Sequence, residues 1–289
     1  MDETLRLMAV LCHPADAIDG AGGTLCLHAE RGDQVTVVVC THGVDTHDLR
    51  RNDAIRFGED TKPVDHKTAM GRKEQEVVDG MTVLGIEDVR FLRFPDELLM
   101  VSRELIEAIA EVMAEVQPHL LIVHNPTEEG GLADVGHADS ANAALKARYL
   151  ANTPRFLKEP PGRYFPAQVF LMTMSGQTTQ LTSEGTRHGN VLVDITPVID
   201  RKVRAMDCLH SQYYPGHLGR KSMEIVNGRM GLHWCIPYAE AFQTLYPHGY
   251  SYLPTNDHLM KLASTPASEH FKNLRIMVND VPFEKEGSP

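Results

Sequence analysis

The sequence lacks a basic excess, a long apolar run and a paired-cysteine motif. Its 28 Lys and Arg residues stand against 39 Asp and Glu residues, for a net charge of −11, which argues against binding to a nucleic-acid backbone. No uninterrupted apolar run approaches membrane-spanning length. Acidic residues stand near the N-terminus, where a signal peptide would carry basic ones. We therefore expect neither nucleic-acid binding nor membrane insertion.

The five cysteines are odd in number, widely spaced and free of any C-x-x-C pair. This pattern is typical of buried free thiols and predicts a reducing, cytoplasmic location without disulfides. The 289 residues are 42% hydrophobic and 23% charged, which favours one large folded domain. We expect an α/β domain over residues 1–250 and a C-terminal extension, residues 251–289, that packs on it.

Short β-branched runs alternate with amphipathic segments along the chain. The patterns predict strands near residues 5–12, 34–40, 89–94, 119–124, 167–173 and 190–194. They predict helices near residues 24–31, 71–86, 102–117, 137–151 and 196–211, with a short helical piece at 238–245. Residues 44–70 have no clear period and are expected to form a long loop whose His47 and His66 face solvent. This alternation predicts a Rossmann-like, three-layer α/β/α sandwich with a mostly parallel sheet.

The chemistry concentrates where the first strand ends. His13-Pro14 terminates that strand and Asp16 follows three residues later, on what we expect to be an acidic loop. Ligands bind at the carboxyl ends of strands in open α/β sheets, and an imidazole and a carboxylate on a tight turn can bind one metal ion. The alternative is an ordinary turn with a satisfied histidine. A dinucleotide-binding dehydrogenase is disfavoured, because no G-x-G-x-x-G follows the strand.

Two motifs resemble those of the PIG-L/LmbE-like zinc-dependent N-deacetylases. The first family motif, A-H-P-D-D-E with a glycine pair, resembles residues 12–17, CHPADA, followed by Gly22-Gly23. The second, H-P-D-H, resembles residues 137–140, HADS. Looser matches occur at His42, Arg72, Asp96 and residues 193–212, so the resemblance covers roughly residues 5–245 in order.

The resemblance implies an LmbE-like fold and a zinc ion, or another divalent metal, held by two histidines and an aspartate. It implies that His13 and Asp16 are metal ligands, and it suggests Arg72, Asp96 and His42 as substrate contacts. Two of these have rival roles: Arg72 in an ion pair with Glu76, and Asp96 as a loop cap. The resemblance further implies a small-molecule substrate and a homo-oligomer.

Two positions depart from the family pattern. Ala15 stands where the family has its general base, and Ser140 stands where it has a metal-binding histidine. One explanation is a rearranged site, in which His137 becomes the third ligand, Asp139 orients it, and His42, His124, Asp139 or the Glu128-Glu129 pair supplies the base. The others are a ligand-binding protein that has lost hydrolysis, and a zinc-free pocket with different chemistry.

The rearranged site is our leading hypothesis. It predicts a metal-dependent hydrolase that cleaves an N-acyl amide in a small polar amino sugar or thiol conjugate. His13, Asp16 and His137 would hold the metal, and His137 and Asp139 would act in catalysis.

Overall fold

A seven-stranded sheet forms the centre of the computed structural model, which describes residues 3–58, 64–127, 136–172, 191–232 and 234–278. The strands are β1 (Arg6–Leu11), β2 (Gln34–Thr41), β3 (Asp88–Phe94), β4 (Leu120–His124), β5 (Gln168–Met172), β6 (Val191–Asp194) and β7 (Ala239–Thr244). Their order is β3-β2-β1-β4-β5-β7-β6. The first five are parallel, and β7 is antiparallel to β5 and β6. The predicted mostly parallel sheet is confirmed.

Most helices of the described residues connect these strands, and the last two follow β7. They are α1 (Asp16–Glu30), α2 (Leu49–Phe57), α3 (His66–Leu84), α4 (Arg103–Val116), α5 (His137–Ala151), α6 (Ile199–Asp207), α7 (His217–Met223), α8 (Arg229–Leu232), α9 (Asp257–Ser264) and α10 (Ala267–Asn273). None of the helices in this part of the chain combines the length and apolar character that crossing a bilayer requires.

Strand β1 is buried on both faces and divides the core in two. Leu7, Ala9 and Leu11 belong to one apolar cluster, which includes residues of α1, α3 and α6. Met8 and Val10 belong to the other, with residues of α4 and α5. Successive strand residues point to opposite faces, so the alternation produces the three-layer α/β/α sandwich that the sequence predicts.

The segment after β1 differs from the expected acidic loop. Helix α1 already begins at Asp16, so the glycines at 20, 22 and 23 lie inside a helix. The disfavour for glycine in helices is overridden by packing, because a Cβ atom on Gly23 would lie 2.6 Å from the Ile195 side chain. Starting the helix this early puts Asp16 in its first turn, beside His13.

Residues 44–70 also contain more structure than expected. They include α2 and the beginning of α3, and each of these helices starts with an aspartate cap: Asp48 accepts from Arg51 N at 3.1 Å, and Asp65 accepts from Thr68 N at 3.1 Å. Such caps stabilise helices whose apolar period is weak.

Residues 238–245 were expected to contain a short helix and instead form β7. Ala, Glu and Gln favour helices in isolation, but here the segment pairs with β5 and β6. The buried Glu240 accepts hydrogen bonds from Gly23 N at 2.8 Å and Thr24 N at 2.7 Å, and it pairs with the buried Lys202 at 2.7 Å. Tertiary contacts therefore override local propensity at this strand.

The described part of the C-terminal segment contacts the sheet domain near β7. The Tyr238 hydroxyl donates to Ile276 O at 3.0 Å, and Val278 N donates to Glu224 Oε1 at 2.8 Å. A domain boundary near residue 250 remains a prediction.

Candidate metal centre

His13 and Asp16 meet at the carboxyl end of β1. Pro14 follows His13 and ends the ladder, and the first turn of α1 returns Asp16 towards the strand. Its Oδ2 accepts a hydrogen bond from His13 N at 2.7 Å and lies 3.5 Å from His13 Nδ1. Both residues are buried.

His137 reaches the same point from the beginning of α5. It directly follows Gly136, whose φ of 101° is a backbone conformation that favours glycine. His137 Nε2 lies 3.1 Å from His13 Nδ1 and 3.4 Å from Asp16 Oδ2. The donor atoms of the three buried residues lie within 4.8 Å of one another.

The donor set fits a tetrahedral metal ion. Zinc bonds to nitrogen and oxygen are about 2.0–2.1 Å long, so two donors of one tetrahedral ion lie about 3.3 Å apart. The three separations here, 3.1, 3.4 and 3.5 Å, are close to that value. Two imidazoles and one carboxylate are also the donor types that catalytic zinc takes, with one position left open.

His124, considered above only as a base, lies beside this donor set. It ends β4, and its Nε2 lies 2.9 Å from Asp16 Oδ2 while its ring stacks on His137 with centroids 3.9 Å apart. Burial, together with the neighbouring His137, lowers the pKa of His124 to about 4. Burial alone would raise the pKa of Asp16, but His137, His124 and His13 outweigh it and hold that pKa well below its usual range. The site is therefore built around an ionised aspartate.

His47 also lies beside the donor set. The sequence analysis expected it to face solvent, but its ring stacks on that of His13 with centroids 3.8 Å apart. Burial, with the neighbouring His13, lowers the pKa of His47 to about 3. The loop between β2 and α2 brings it there, and no periodic signal marks that loop. His124 carried a signal, since it ends a strand just as His13 does.

A hydrogen-bond chain fixes the orientation of His47. The Thr46 hydroxyl donates to Asp96 Oδ2 at 2.5 Å, and the hydroxyl oxygen of Thr46 lies 2.6 Å from His47 Nδ1. Because the single hydroxyl proton goes to the carboxylate, His47 Nδ1 must donate to Thr46, and its Nε2 carries no proton. Asp96 is fully buried and also accepts from Thr46 N at 2.7 Å, so it caps this loop, the rival role considered for it.

His42 lies next to this chain. Its Nδ1 is 2.7 Å from Asp96 Oδ1. Burial by itself lowers the pKa of His42, but the hydrogen bond and charge of Asp96 outweigh it and raise that pKa. The expected contacts of His42 and Asp96 with a substrate remain predictions.

The remaining expected residues lie around the centre. The Ser140 hydroxyl donates to His137 O at 2.8 Å, so it is turned towards its own helix. Asp139 lies in the first turn of α5. Its expected role in orienting His137 remains a prediction. The Glu128-Glu129 pair lies outside the described residues.

Arg72 pairs with Asp48 rather than with the expected Glu76. Glu76 instead accepts from the backbone and hydroxyl of Ser211, at 2.9 and 2.6 Å. Asp48 directly follows His47 in the chain, so Arg72 holds the base of the loop that carries His47. Its contact with a substrate remains a prediction.

Comparison with known proteins gives a family match and two kinds of relative. Residues 8–148 match the family described as PIG-L: GlcNAc-PI de-N-acetylase. A 1D-myo-inositol 2-acetamido-2-deoxy-alpha-D-glucopyranoside deacetylase from Catenulispora acidiphila is 27% identical over 194 residues, 58% of this chain and 56% of that protein. A 4-oxalmesaconate hydratase from Pseudomonas putida is 24% identical over 251 residues, 83% of this chain and 89% of that protein. This chain thus spans about half the length of the deacetylase.

Solved structures show the same fold. The N,N'-diacetylchitobiose deacetylase from Pyrococcus horikoshii aligns with a TM-score of 0.62 and 18% identity, covering 83% of this chain and 84% of that one. The 4-carboxy-2-hydroxymuconate hydratase from Pseudomonas putida aligns with a TM-score of 0.67 and 21% identity, covering 87% of this chain and all of that one. At these identities the likeness concerns the fold alone.

Proposed function

The chain belongs to the PIG-L family, and from this membership we propose that it is a metal-dependent hydrolase of an N-acyl amide in a small polar substrate. An amino sugar or a thiol conjugate is the substrate class we favour. The observation that carries the proposal is the convergence of His13, Asp16 and His137, whose donor atoms lie within 4.8 Å of one another. Zinc is the metal we favour, and a bound zinc ion polarises an amide carbonyl and lowers the pKa of water.

His47 replaces the missing base in this proposal. Ala15 cannot accept a proton, His124 Nε2 is engaged with Asp16, and the ring of His42 packs against that of His66. His47 is stacked on His13, and the chain from Asp96 through Thr46 leaves its Nε2 free of a proton. That nitrogen is therefore the acceptor for a proton from water, but burial and the neighbouring His13 hold the pKa of His47 at about 3, so it acts as a weak base. His124 keeps Asp16 in place, and Ser140 takes no part.

The first experiment compares amide cleavage by wild type, His13→Ala and His217→Ala. His217 is an exposed histidine on α7, so its variant is the matched control. We expect release of a primary amine from N-acetyl amino sugars by wild type and the control. Loss of one of the three ligands should reduce this rate by at least about 10²-fold, as should dialysis against a chelator, with recovery on adding zinc.

Activity that survives both the chelator and His13→Ala would rule out the proposed mechanism. His47→Gln tests the base separately. It keeps a hydrogen-bonding side chain but removes the basic nitrogen, and because the pKa of His47 is about 3 we expect a loss at the lower end of the usual range, about 10²-fold. An unchanged rate in His47→Gln would refute that role alone.

A hydratase is the second candidate, favoured by one observation. The 4-oxalmesaconate hydratase matches 83% of this chain and 89% of its own length, whereas the deacetylase matches 58% and 56%. Adding water to a carbon–carbon double bond needs a proton acceptor and a proton donor, which histidines can supply without a carboxylate at position 15. Loss of ultraviolet absorbance from an unsaturated oxo-dicarboxylate, without amine release from amides, would favour this candidate over the hydrolase.

A further inference from the structure

A second cluster of metal-binding side chains lies beside the candidate metal centre. It consists of His42 after β2, Asp45 in the following loop, and His66 at the beginning of α3. One donor atom from each residue lies within 4.8 Å of the other two. We propose that His42, Asp45 and His66 form a second site for a divalent transition metal, separate from the one at His13, Asp16 and His137.

His42 is already oriented as a metal ligand. Its Nδ1 lies 2.7 Å from Asp96 Oδ1, and both side chains are buried. That contact occupies one ring nitrogen and leaves Nε2 as the donor. A carboxylate that holds the far nitrogen of a histidine is the usual support for a metal-binding imidazole, because it fixes the ring and raises its basicity.

Asp45 and His66 complete the donor set. Asp45 Oδ2 lies 3.2 Å from His66 Nε2, and the rings of His42 and His66 meet edge to face with centroids 4.7 Å apart. Two hydrogen bonds fix the backbone of Asp45: its N donates to Asp96 Oδ1 at 3.3 Å, and its carbonyl O accepts from the Asn52 side-chain amide at 2.9 Å. Two imidazoles and one carboxylate form the same donor set as in the first centre, and they suit zinc.

The charge of the surroundings favours a cation. Asp96 and Glu97 also offer oxygen donors within 4.8 Å of that of Asp45, so three carboxylates meet here. Glu97 is exposed and available as a fourth ligand. Facing them are the guanidinium of Arg51, whose Nη1 lies 3.4 Å from Asp45 Oδ1, and the Lys73 ammonium, which interacts electrostatically with Asp96. Two cations against three carboxylates leave a net negative charge that favours a divalent ion.

This second site would act on the loop that carries His47. His42 and Asp45 lie on that loop, whereas His66 lies on α3, so a shared ion ties the loop to the helix. Thr46 and His47 follow directly after Asp45. An ion at this position is therefore a positioning device for the ring that stacks on His13.

The test measures zinc stoichiometry in the full chain. Metal-free protein is dialysed against buffered micromolar zinc, and bound zinc is determined by elemental analysis for wild type, His66→Ala, Asp45→Asn, His13→Ala and the control His217→Ala. We expect about two equivalents in wild type and His217→Ala, and about one in each of the other three. His66 is half exposed at a helix start, so its replacement should leave the fold intact, which circular dichroism checks.

The zinc stoichiometries of the variants distinguish the second site from the first metal centre, on which the proposed function rests. If His66→Ala and Asp45→Asn bind as much zinc as wild type, the second site does not exist. If wild type binds one equivalent that His13→Ala keeps and His66→Ala loses, the second site stands and the first does not. Cobalt gives an independent readout, because the visible absorption of tetrahedral cobalt should fall by about half in His66→Ala.

Discussion

At the scale of single residues, position 15 lacks the carboxylate that serves as general base in the family. Ala15 precedes α1 and is 5% exposed, next to Asp16. A carboxylate there would have the place that the family gives its general base, and a positioned base contributes about 10²–10⁴-fold.

We therefore expect Ala15→Asp to hydrolyse N-acetyl amides faster than wild type. Initial rates of amine release are the measurement. Ala15→Asn is the matched control, since it has nearly the same shape but accepts no proton. Equal rates in the two variants would mean that no base is missing at this position.

Lys73 gives a prediction about pH. It is 1% exposed, and its Nζ donates to His47 O at 2.9 Å and Ser211 Oγ at 3.1 Å. Burial lowers the pKa of Lys73 from 10.5 to about 8, although Glu76 and Asp48 oppose the shift. Between these two values the unfolded chain holds a proton that the folded chain has lost, so stability rises with pH.

The free energy of unfolding of wild type should therefore increase relative to Lys73→Met between about pH 8 and pH 10. Urea denaturation at several pH values measures the difference. Below the folded pKa both states are protonated, so the difference should be flat there. A difference that shrinks with rising pH would contradict the assigned shift.

Helix α1 sets the geometry of the site at the scale of secondary structure. It carries Asp16 in its first turn and approaches the 195–198 segment closely at Gly23. Lys202 Nζ donates to Asp19 O at 2.6 Å, whereas Gly23 N donates to Glu240. The Lys202–Glu240 pair thus contacts the carbonyl of Asp19 and the amide of Gly23, four residues later in α1. These contacts tie the glycine-rich segment of α1 to α6 and β7.

Two glycine variants test that packing. A Cβ on Gly23 would lie 2.6 Å from Ile195 Cγ2, so Gly23→Ala should lower the free energy of unfolding by about 1–3 kcal/mol. Gly71 lies exposed in α3 with no heavy atom within 4 Å of its added Cβ. Gly71→Ala should therefore raise stability by about 0.5–1 kcal/mol. Urea denaturation measures both, and equal signs would refute the role of close packing.

At the scale of the whole molecule, metal binding should couple to folding. The ligands of the first centre come from distant parts of the sequence: His13 and Asp16 flank the start of α1, and His137 begins α5. The unfolded chain does not hold them together, so the ion stabilises only the folded state. Saturation at 100 times the dissociation constant corresponds to about 2.7 kcal/mol.

Thermal unfolding measures this coupling. Zinc should raise the melting temperature of chelator-treated wild type by several degrees, and the rise should be smaller in His13→Ala. His217→Ala should behave as wild type. A shift of equal size in wild type and His13→Ala would show that the stabilising ion binds elsewhere.

The sequence by itself determined the layers and the first half of the site. Buried β-branched runs and amphipathic helices left few alternatives to a parallel α/β sheet. His13-Pro14 could be placed at a strand's carboxyl end because proline cannot continue the ladder. Both are consequences of local chemistry and period, which one chain reveals.

Only the tertiary structure decided the rest. Strand β7 forms because β5 and β6 pair with a segment whose own propensity is helical, and a glycine stands inside α1 because Gly23 packs closely against Ile195. His47 comes to His13, and His124 to Asp16, through contacts between distant segments. The sequence pattern placed His124 at the end of a strand but did not show its partner, and no pattern marked His47. Long-range packing outweighs local preference at these positions, and the candidate site depends on them.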